Sequence, residues 1–226
     1  MATKTKLWHL EHFNVFKGMS EGELALVSSM ADMLKMSSDE FIYFPDEPST
    51  TIFFLKKGKI KIGVVSDSGR ETIKAILSPG EVFGELSILN EEVRHEYAKA
   101  IGGEVQICVI DKDDMRKLMN KIPRMSFKIT KLIGTRLRII ERRLEGLIFK
   151  NSRERIIDFL IDLAKDTGQQ IGKEIMVKHS LTHLDIAHLT ASSRQTVTSV
   201  LNELREKNLL YFERKKFLFR DLDKLC

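Results

Sequence analysis

The stretch that decides the fold is LTHLDIAHLTASSRQTVTSVLNEL, residues 181–204. Thr182, followed by Asp185 at the third position, predicts the capped start of a short helix. The dipeptide Ser192-Ser193 predicts the cap of a second helix, directly after a tight connection at Thr190-Ala191-Ser192. Apolar residues recur at helical spacing in both segments. Two short helices joined in this way are typical of a helix-turn-helix.

The second predicted helix has two unlike faces. Val197, Val200, Leu201 and Leu204 form an apolar stripe for a core, and the opposite face is polar. Arginine can bind guanine O6 and N7 together, glutamine can bind adenine N6 and N7, and hydroxyls and helix-terminal amides can hold phosphates. The pattern therefore predicts a DNA-reading helix. The predicted DNA contacts, including a basic turn further on, are Thr182, Ser192, Ser193, Arg194, Gln195, Thr196, Thr198, Ser199, Asn202, Arg214, Lys215 and Lys216.

That basic turn, Arg214-Lys215-Lys216, lies between the apolar segments 209–212 and 217–219. Two strands around a basic turn are typical of the wing of a winged helix. By itself the turn fits a solvated hairpin tip equally well. Beside a helix-turn-helix, contact with DNA phosphates becomes the better interpretation.

Upstream of this region, the chain runs about 27 residues after Pro123 as one predicted helix, which at 1.5 Å per residue is about 40 Å long. Its apolar residues follow the 4-3-4-3 spacing of a coiled coil. A helix of this length is hard to bury in a small domain, so we expect it to pair with a second copy of the chain. A long core helix within one protomer is the alternative. The apolar ridge consists of Ile133, Leu137, Ile140, Leu144 and Leu147.

Residues 41–110 show a different pattern of short apolar runs separated by turn residues, among them Lys57-Gly58 and Gly102-Gly103. Ile60, Ile62 and Val64 alternate with period two, as in a half-buried strand. The predicted fold class is α+β, with many antiparallel strands in a sandwich or barrel at the front. We expect three parts: a β domain with short N-terminal helices over 1–122, a dimerisation helix over 123–150 and a winged helix-turn-helix over 151–226.

Charge and cysteine content narrow the class of protein. Residues 124–226 carry 21 Lys and Arg against 13 Asp and Glu, or +8, so the remaining 16 and 19 give the front part −3. A basic back half suits a polyanionic partner, although an ordinary solvated surface explains the charge equally well. Two cysteines, Cys108 and Cys226, fit a reducing cytoplasm and are too few for a disulfide framework. No secretory signal or membrane-spanning run is predicted.

These residues together resemble the CRP/FNR superfamily of bacterial transcription regulators over nearly the whole chain. The sharpest points are Gly80-Glu-Val-Phe-Gly-Glu-Leu86, similar to the family's phosphate-binding segment, and Ser193-Arg-Gln-Thr-Val197, similar to the start of its recognition helix. The resemblance implies a cyclic-nucleotide-binding-like β-roll, or double-stranded jelly roll, followed by a dimerisation helix and a winged helix-turn-helix. It further implies a homodimer on palindromic promoter DNA that contacts RNA polymerase.

Departures from the family pattern concern the effector pocket. Members that bind cyclic AMP hold its phosphate with an Arg-Ser pair, which aligns here with His95 and Glu96, and Glu96 would repel a phosphate. Arg94 lies one position away and would need a shifted loop. The adenine-contacting hydroxyl positions align with Ile140 and Glu141. We therefore expect no dependence on cyclic AMP; a regulator that responds to a cyclic nucleotide or another small metabolite through an altered pocket is the alternative. The pocket candidates are Gly84, Glu85, Leu86, Arg94, His95, Arg136 and Ile140.

Other chemistry finds little support in the sequence. A structural ion pair with Arg136 is the expected role of Glu85. His179, His183 and His188 lie close in sequence, but their spacing favours capping or surface roles over metal binding, and we expect no metal or cofactor. No nucleophile elbow, P-loop or dinucleotide fingerprint is present, so an enzyme is not expected. A small-molecule-binding module whose helix-turn-helix contacts only proteins is a second hypothesis.

Overall fold

The computed structural model describes residues 13, 15–213 and 215–225. Arg214 and Cys226, both named above, therefore lie outside the described residues. The chain forms two compact units that divide between Arg136 and Leu137. The dividing point falls inside a long helix, so the three-part division expected from the sequence stays a prediction.

The first unit is a β-roll bracketed by helices. Helix α1 (Glu21–Ser29) starts with a capping box between Ser20 and Glu23. Strands β1 (Ala31–Met36), β2 (Phe41–Tyr43), β3 (Thr51–Val65), β4 (Glu71–Leu77), β5 (Val82–Phe83) and β6 (Tyr97–Asp111) follow, with a 3-10 turn at Glu85–Leu89. The strands are antiparallel in the order β1-β6-β3-β4, with β2 on β6 and β5 on β3.

Two turns expected from the sequence lie inside strands β3 and β6. Lys57-Gly58 and Gly102-Gly103 were predicted as turns, but both lie inside 15-residue strands that pair with each other. The pairing shifts register between Leu55 and Lys59, and Gly58 has φ of +87°. A Cβ on Gly58 would lie 2.7 Å from the carbonyl oxygen of Glu104, so only glycine lets the strands approach here. The chain therefore continues through these glycines as strand and does not reverse.

Two apolar clusters stabilise this unit. One lies inside the roll and includes Tyr43, Phe53 and Phe83. The other packs α1 and the helices after β6 against strand residues such as Phe54 and Ile110. Those helices are α2 (Lys112–Lys121), capped by Asp111, and α3 (Pro123–Phe149).

The second unit is a winged helix. It contains α4 (Ser152–Thr167), β7 (Gln169–Ile171), β8 (Glu174–Lys178), α5 (His183–Leu189), α6 (Arg194–Glu206), β9 (Leu210–Glu213) and β10 (Lys216–Phe219). Its four strands pair in the order β7-β8-β10-β9. The polar residues 166–170 have the composition of a turn, but they end α4 and begin β7. The core of the unit joins α4, α5 and α6 to the sheet through residues such as Leu160, Ile186 and Leu201.

Candidate functional site

Helices α5 and α6 form the predicted helix-turn-helix. Thr182 caps α5, and the Asp185 carboxylate accepts from both the amide and the hydroxyl of Thr182 at 2.8 Å, so the predicted capping box is present. Between the helices, Ala191 has φ of +47°, the left-handed conformation that a tight turn requires. Ser193 caps α6, accepting from the Thr196 amide at 3.0 Å. Local hydrogen bonds thus fix both helix starts and the turn.

Helix α6 presents the two faces expected of it. Val197, Val200, Leu201 and Leu204 are buried in the core of the second unit. The opposite side, called the polar face below, is exposed at Ser193, Arg194, Gln195 and Ser199 and half-buried at Thr196, Thr198 and Asn202. Of the other predicted contacts in this motif, Thr182 is exposed and Ser192 is half-buried.

The polar face contains bonded and unbonded side chains. The Thr198 hydroxyl donates to the Arg194 carbonyl at 2.9 Å and lies 2.9 Å from Nδ1 of His183. Asn202 accepts from Arg205 at 3.0 Å. By contrast, the side chains of Arg194, Gln195 and Ser199 make no hydrogen bond or ion pair with the described residues. These three side chains keep their donors and acceptors available for a ligand.

His183 is one residue whose contact the sequence did not predict. It lies at the start of α5, and burial together with the nearby Arg194 charge lowers its pKa, which favours the neutral ring near pH 7. The second missed contact is a fork between Arg153 of α4 and Glu203 of α6, at 3.0 and 2.9 Å. Opposite charges on separate helices gave no local signal, since neither spacing nor periodicity links them.

The wing has the predicted arrangement of strands. β9 and β10 pair antiparallel, with Glu213 opposite Lys216. Lys215 adopts φ of +67° in the connection, and its carbonyl accepts from the His179 amide at 3.0 Å. The side chains of Lys215 and Lys216 are both exposed. The described part of the wing therefore offers two lysines on the same molecular unit as the polar face.

The predicted effector pocket is arranged around Arg94, which is 3% exposed. Its guanidinium donates to the Gly84 carbonyl at 3.2 Å and the Thr51 carbonyl at 2.5 Å, and lies 3.6 Å from a Glu91 carboxylate oxygen. Gly84 has φ of +69°, and a Cβ there would lie 2.8 Å from the guanidinium. Arg94 thus faces inward, whereas His95, aligned above with the phosphate-binding arginine, is exposed.

Aromatic rings fill the interior of the roll beside Arg94. Phe53 and Phe83 stack with centroids 4.9 Å apart, and Tyr43 packs on Phe53 at 5.6 Å. The Arg94 guanidinium lies 4.6 Å from the centre of the Tyr43 ring, a cation–π contact. Burial and the Glu96 carboxylate raise the pKa of Tyr43, so the phenol stays neutral. Glu96 itself forms an ion pair with Lys74 at 2.9 Å.

The remaining pocket candidates separate into contacts and exposed positions. Glu85 forms an ion pair with Arg136, as predicted, and Arg136 also donates to the Val82 carbonyl. Leu86 is 45% exposed on the 3-10 turn. Ile140 belongs to the other compact unit and is 61% exposed. Among the pocket candidates, the structure therefore shows two contacts: a hydrogen bond from Arg94 to Gly84 and an ion pair between Glu85 and Arg136.

The apolar ridge of α3 is largely uncovered. Leu137, Ile140, Leu144 and Leu147 are each more than half exposed, and Ile133 packs partly against the core of the first unit. Because unpartnered leucines and isoleucines in a row are rare on monomer surfaces, this ridge has the properties of an interface.

The histidine and cysteine side chains form no metal site within the described residues. His179 is buried and stacks on Phe217 with ring centroids 4.0 Å apart. Among the described residues, no three His, Cys, Asp or Glu side chains come together as a metal site. Cys108 is buried in β6. No helix of the described ranges is both long and apolar enough to cross a membrane.

A β-roll unit followed by a winged helix-turn-helix, with a polar face on the second helix of the motif, defines a class of DNA-binding transcription regulators. Residues 33–122 match the profile of the cyclic nucleotide-binding domain, and residues 154–226 match that of the Crp-like helix-turn-helix domain. The chain belongs to the CRP/FNR superfamily.

Similar proteins cover nearly the whole chain. A global nitrogen regulator from Nostoc sp. is 30% identical over 205 residues, 90% of this chain and 89% of the relative. The CRP-like cAMP-activated global transcriptional regulator of Mycobacterium tuberculosis is 29% identical over 217 residues, 96% of each chain. These relatives are transcription regulators and not enzymes.

Solved structures share the fold. FixK2 from Bradyrhizobium japonicum superposes with a TM-score of 0.77 at 22% identity, over 86% of this chain and 95% of that one. A CooA mutant from Carboxydothermus hydrogenoformans gives a TM-score of 0.76 at 24% identity, over 92% and 90%. The expected β-roll, long helix and winged helix-turn-helix are therefore confirmed.

Proposed function

We propose that this regulator binds a palindromic promoter site as a homodimer, reads bases with the polar face of α6 and does not require cyclic AMP. The observation that carries the proposal is the state of Arg194, Gln195 and Ser199. They project from a capped helix with their hydrogen-bonding groups uncommitted within the described chain. Side chains poised in this way suit the edges of base pairs in a major groove.

Base reading is assigned to Arg194 and Gln195, and phosphate contact to the groups around them. Arg194 suits guanine and Gln195 suits adenine. The phosphate contacts are assigned to polar groups that border the same surface. These are Asn202 and the hydroxyls of Thr182, Ser192, Ser193, Thr196, Thr198 and Ser199. Lys215 and Lys216, with Arg214 of the same turn, supply positive charge for the DNA backbone, which strengthens binding to every sequence.

Dimerisation is assigned to the apolar ridge of α3. The 4-3-4-3 spacing and the exposure of Leu137, Ile140, Leu144 and Leu147 support a two-stranded coiled coil. A parallel pair would present two copies of α6 to half-sites about 34 Å apart, one helical turn of DNA. In this proposal residues 1–122 form the sensor domain, 123–150 the dimerisation helix and 151–226 the DNA-binding domain, working in the cytoplasm with RNA polymerase as a partner.

Independence from cyclic AMP is proposed from the interior of the roll, even though the Mycobacterium tuberculosis relative is named as cAMP-activated. Arg94, one position before the residues aligned with the phosphate-binding Arg-Ser pair, already donates to two carbonyls and pairs with Glu91. The stacked rings of Phe53 and Phe83 occupy neighbouring space. A cyclic phosphate would have to displace these contacts without finding a second cation at the exposed His95. Any effector is then a different small molecule.

Selection of duplexes from a random pool tests this proposal. The purified protein should enrich a palindrome with half-sites one turn apart, and sedimentation should show two chains per bound duplex. Adding cyclic AMP should change neither the motif nor the affinity. A protein that enriches no motif at low salt would contradict DNA reading. Binding that appears only with cyclic AMP would favour the cyclic-nucleotide-responsive alternative.

A further inference from the structure

Arg155 lies between the end of the dimerisation helix and the turn of the helix-turn-helix. Its Nε donates to the Thr190 carbonyl at 2.9 Å, and one terminal nitrogen donates to the Ala191 carbonyl at 2.8 Å. The other terminal nitrogen donates to the Lys150 carbonyl, one residue after α3, at 2.8 Å. One guanidinium therefore links the backbone at the end of α3 to the backbone of the turn between α5 and α6.

The aliphatic part of Arg155 also lies beside the long helix. A Cβ added to Gly146 of α3 would lie 3.8 Å from Cδ and 3.9 Å from Cγ of Arg155, so the side chain passes just outside van der Waals contact with this glycine. Arg155 therefore runs alongside Gly146 and binds the carbonyl of Lys150, about one turn further on. Because a guanidinium is planar and presents its donors in a fixed fork, it transmits orientation better than a flexible ammonium does.

The turn held by Arg155 determines where the polar face begins. Ala191 sits in the left-handed region, a conformation that costs free energy in a residue with a Cβ and needs support from its surroundings. Only Ser192 separates Ala191 from Ser193, the cap of α6, and Arg194 and Gln195 follow directly. A change at the Thr190 and Ala191 carbonyls therefore moves the first turn of the helix that carries both base-reading candidates.

We propose that Arg155 is a positioning residue, which sets the direction of the α6 polar face relative to the dimerisation helix. This inference rests on the proposed function, since direction matters only if two copies read one palindrome. Its expected signature is discrimination between half-site spacings. Changing the spacing by one base pair moves a half-site by about 3.4 Å and rotates it by about 35°. Only a dimer with firmly directed helices penalises that change strongly.

The test uses the full-length protein and three 40-base-pair duplexes: the palindrome selected by the wild type, the same palindrome with one base pair added at its centre, and a scrambled sequence. We expect the wild type to bind the selected spacing about tenfold or more tightly than the lengthened one. Arg155→Gln should narrow this ratio several-fold while binding to the scrambled duplex changes little. Arg155→Lys, which keeps the charge and the stem, should be intermediate and serves if the Gln variant does not fold.

Arg153→Gln is the matched control. It removes the same charge two positions away on α4 and loses two hydrogen bonds, but those bonds go to Glu203 and not to Lys150 or the turn. We expect a lower melting temperature with the spacing ratio preserved. Equal spacing ratios in wild type and Arg155 variants, or the same loss in Arg153→Gln, would overturn the positioning role. Failure of the wild type to select any palindrome would instead refute the proposed function itself.

Discussion

Arg153 and Glu203 form a two-pronged ion pair, with nitrogen–oxygen distances of 3.0 and 2.9 Å, that joins α4 to the recognition helix α6. Lys207 donates to the same carboxylate at 2.7 Å. Hydrogen bonds from Arg153 and Lys207 lower the pKa of Glu203 to about 2. The carboxylate is thus held ionised by groups from two helices of the DNA-binding unit.

A pH dependence of stability follows from this pair. The pKa of Glu203 is lower in the folded chain than its ordinary value of 4.5, so its contribution is complete above pH 4.5 and is lost as pH falls toward about 2. Because the groups are partly exposed, Glu203→Gln should cost only about 1 kcal/mol at pH 7. Urea unfolding at pH 7 and pH 3 measures this. A difference between wild type and variant that is as large at pH 3 as at pH 7 would exclude the mechanism.

Replacing Arg194 should weaken recognition of the selected site. Arg194→Ala removes the predicted guanine contact and should cost about 1–3 kcal/mol on the selected duplex, with relaxed base preference at one position of each half-site. Fluorescence anisotropy on matched and single-base variants measures both effects. Arg220→Ala is the control, since Arg220 directly follows β10 and pairs with Glu174 of β8 at 3.8 Å, and not with the polar face. Equal losses in the two variants would argue against a specific role of Arg194.

The wing lysines should act through charge alone. Lys215→Ala should weaken binding to selected and scrambled duplexes alike and lower the slope of log affinity against log salt by about 1. Titrations at several salt concentrations give that slope. A loss confined to the selected sequence would mean that Lys215 reads bases and does not merely hold the backbone.

Substitutions of two neighbouring isoleucines on α3 test dimerisation separately from the stability of the helix. Ile140→Glu places a charge on the apolar ridge and should convert the protein to monomers at micromolar concentration, because the partner helix would have to bury it. Ile139→Glu makes the same change one residue away, on a different side of the helix, where Ile139 is 43% exposed. It should leave the dimer intact. Sedimentation velocity distinguishes them, and dimers in both variants would place the interface elsewhere.

Arg94 should stabilise the β-roll independently of any ligand. Arg94→Met keeps the length of the side chain but removes the donor to the Gly84 and Thr51 carbonyls. Because Gly84 keeps Ser87 as a donor and Thr51 is only half-buried, we expect a loss of about 1–3 kcal/mol in total. A lower melting temperature, unchanged by cyclic AMP, is expected. If the wild type were instead stabilised by cyclic AMP and the variant were not, Arg94 would be a ligand contact.

Local rules were sufficient for much of the fold. The capping box at Thr182, the cap at Ser193 and the two faces of α6 depend on spacings of three or four residues, and the sequence identified them. The prediction of a turn at Gly58 was wrong, because a residue in the left-handed conformation occurs in bulges within strands as well as in turns. Whether the chain continues as a strand or turns at Gly58 depends on its packing against Glu104 and Val105 of the paired strand, which sequence spacing does not show.

Side-chain contacts between distant segments could not be read in the same way. The family pattern aligns His95 with the phosphate-binding arginine, but in the structure Arg94 is buried and His95 is exposed. Arg155 gave no signal because its partners are carbonyl groups, which every residue carries. Such contacts depend on how helices and loops meet in space.

The most direct test of the account is a change of base preference at Gln195. Wild-type protein and the Gln195→Glu variant select duplexes in parallel from one random pool. The substitution keeps the size of the side chain but replaces an amide that suits adenine with a carboxylate that accepts a hydrogen bond from cytosine N4. We predict motifs that agree everywhere except at one symmetric position, where adenine gives way to cytosine. Identical motifs from the two proteins, or changes scattered over both half-sites, would contradict base reading by the polar face of α6.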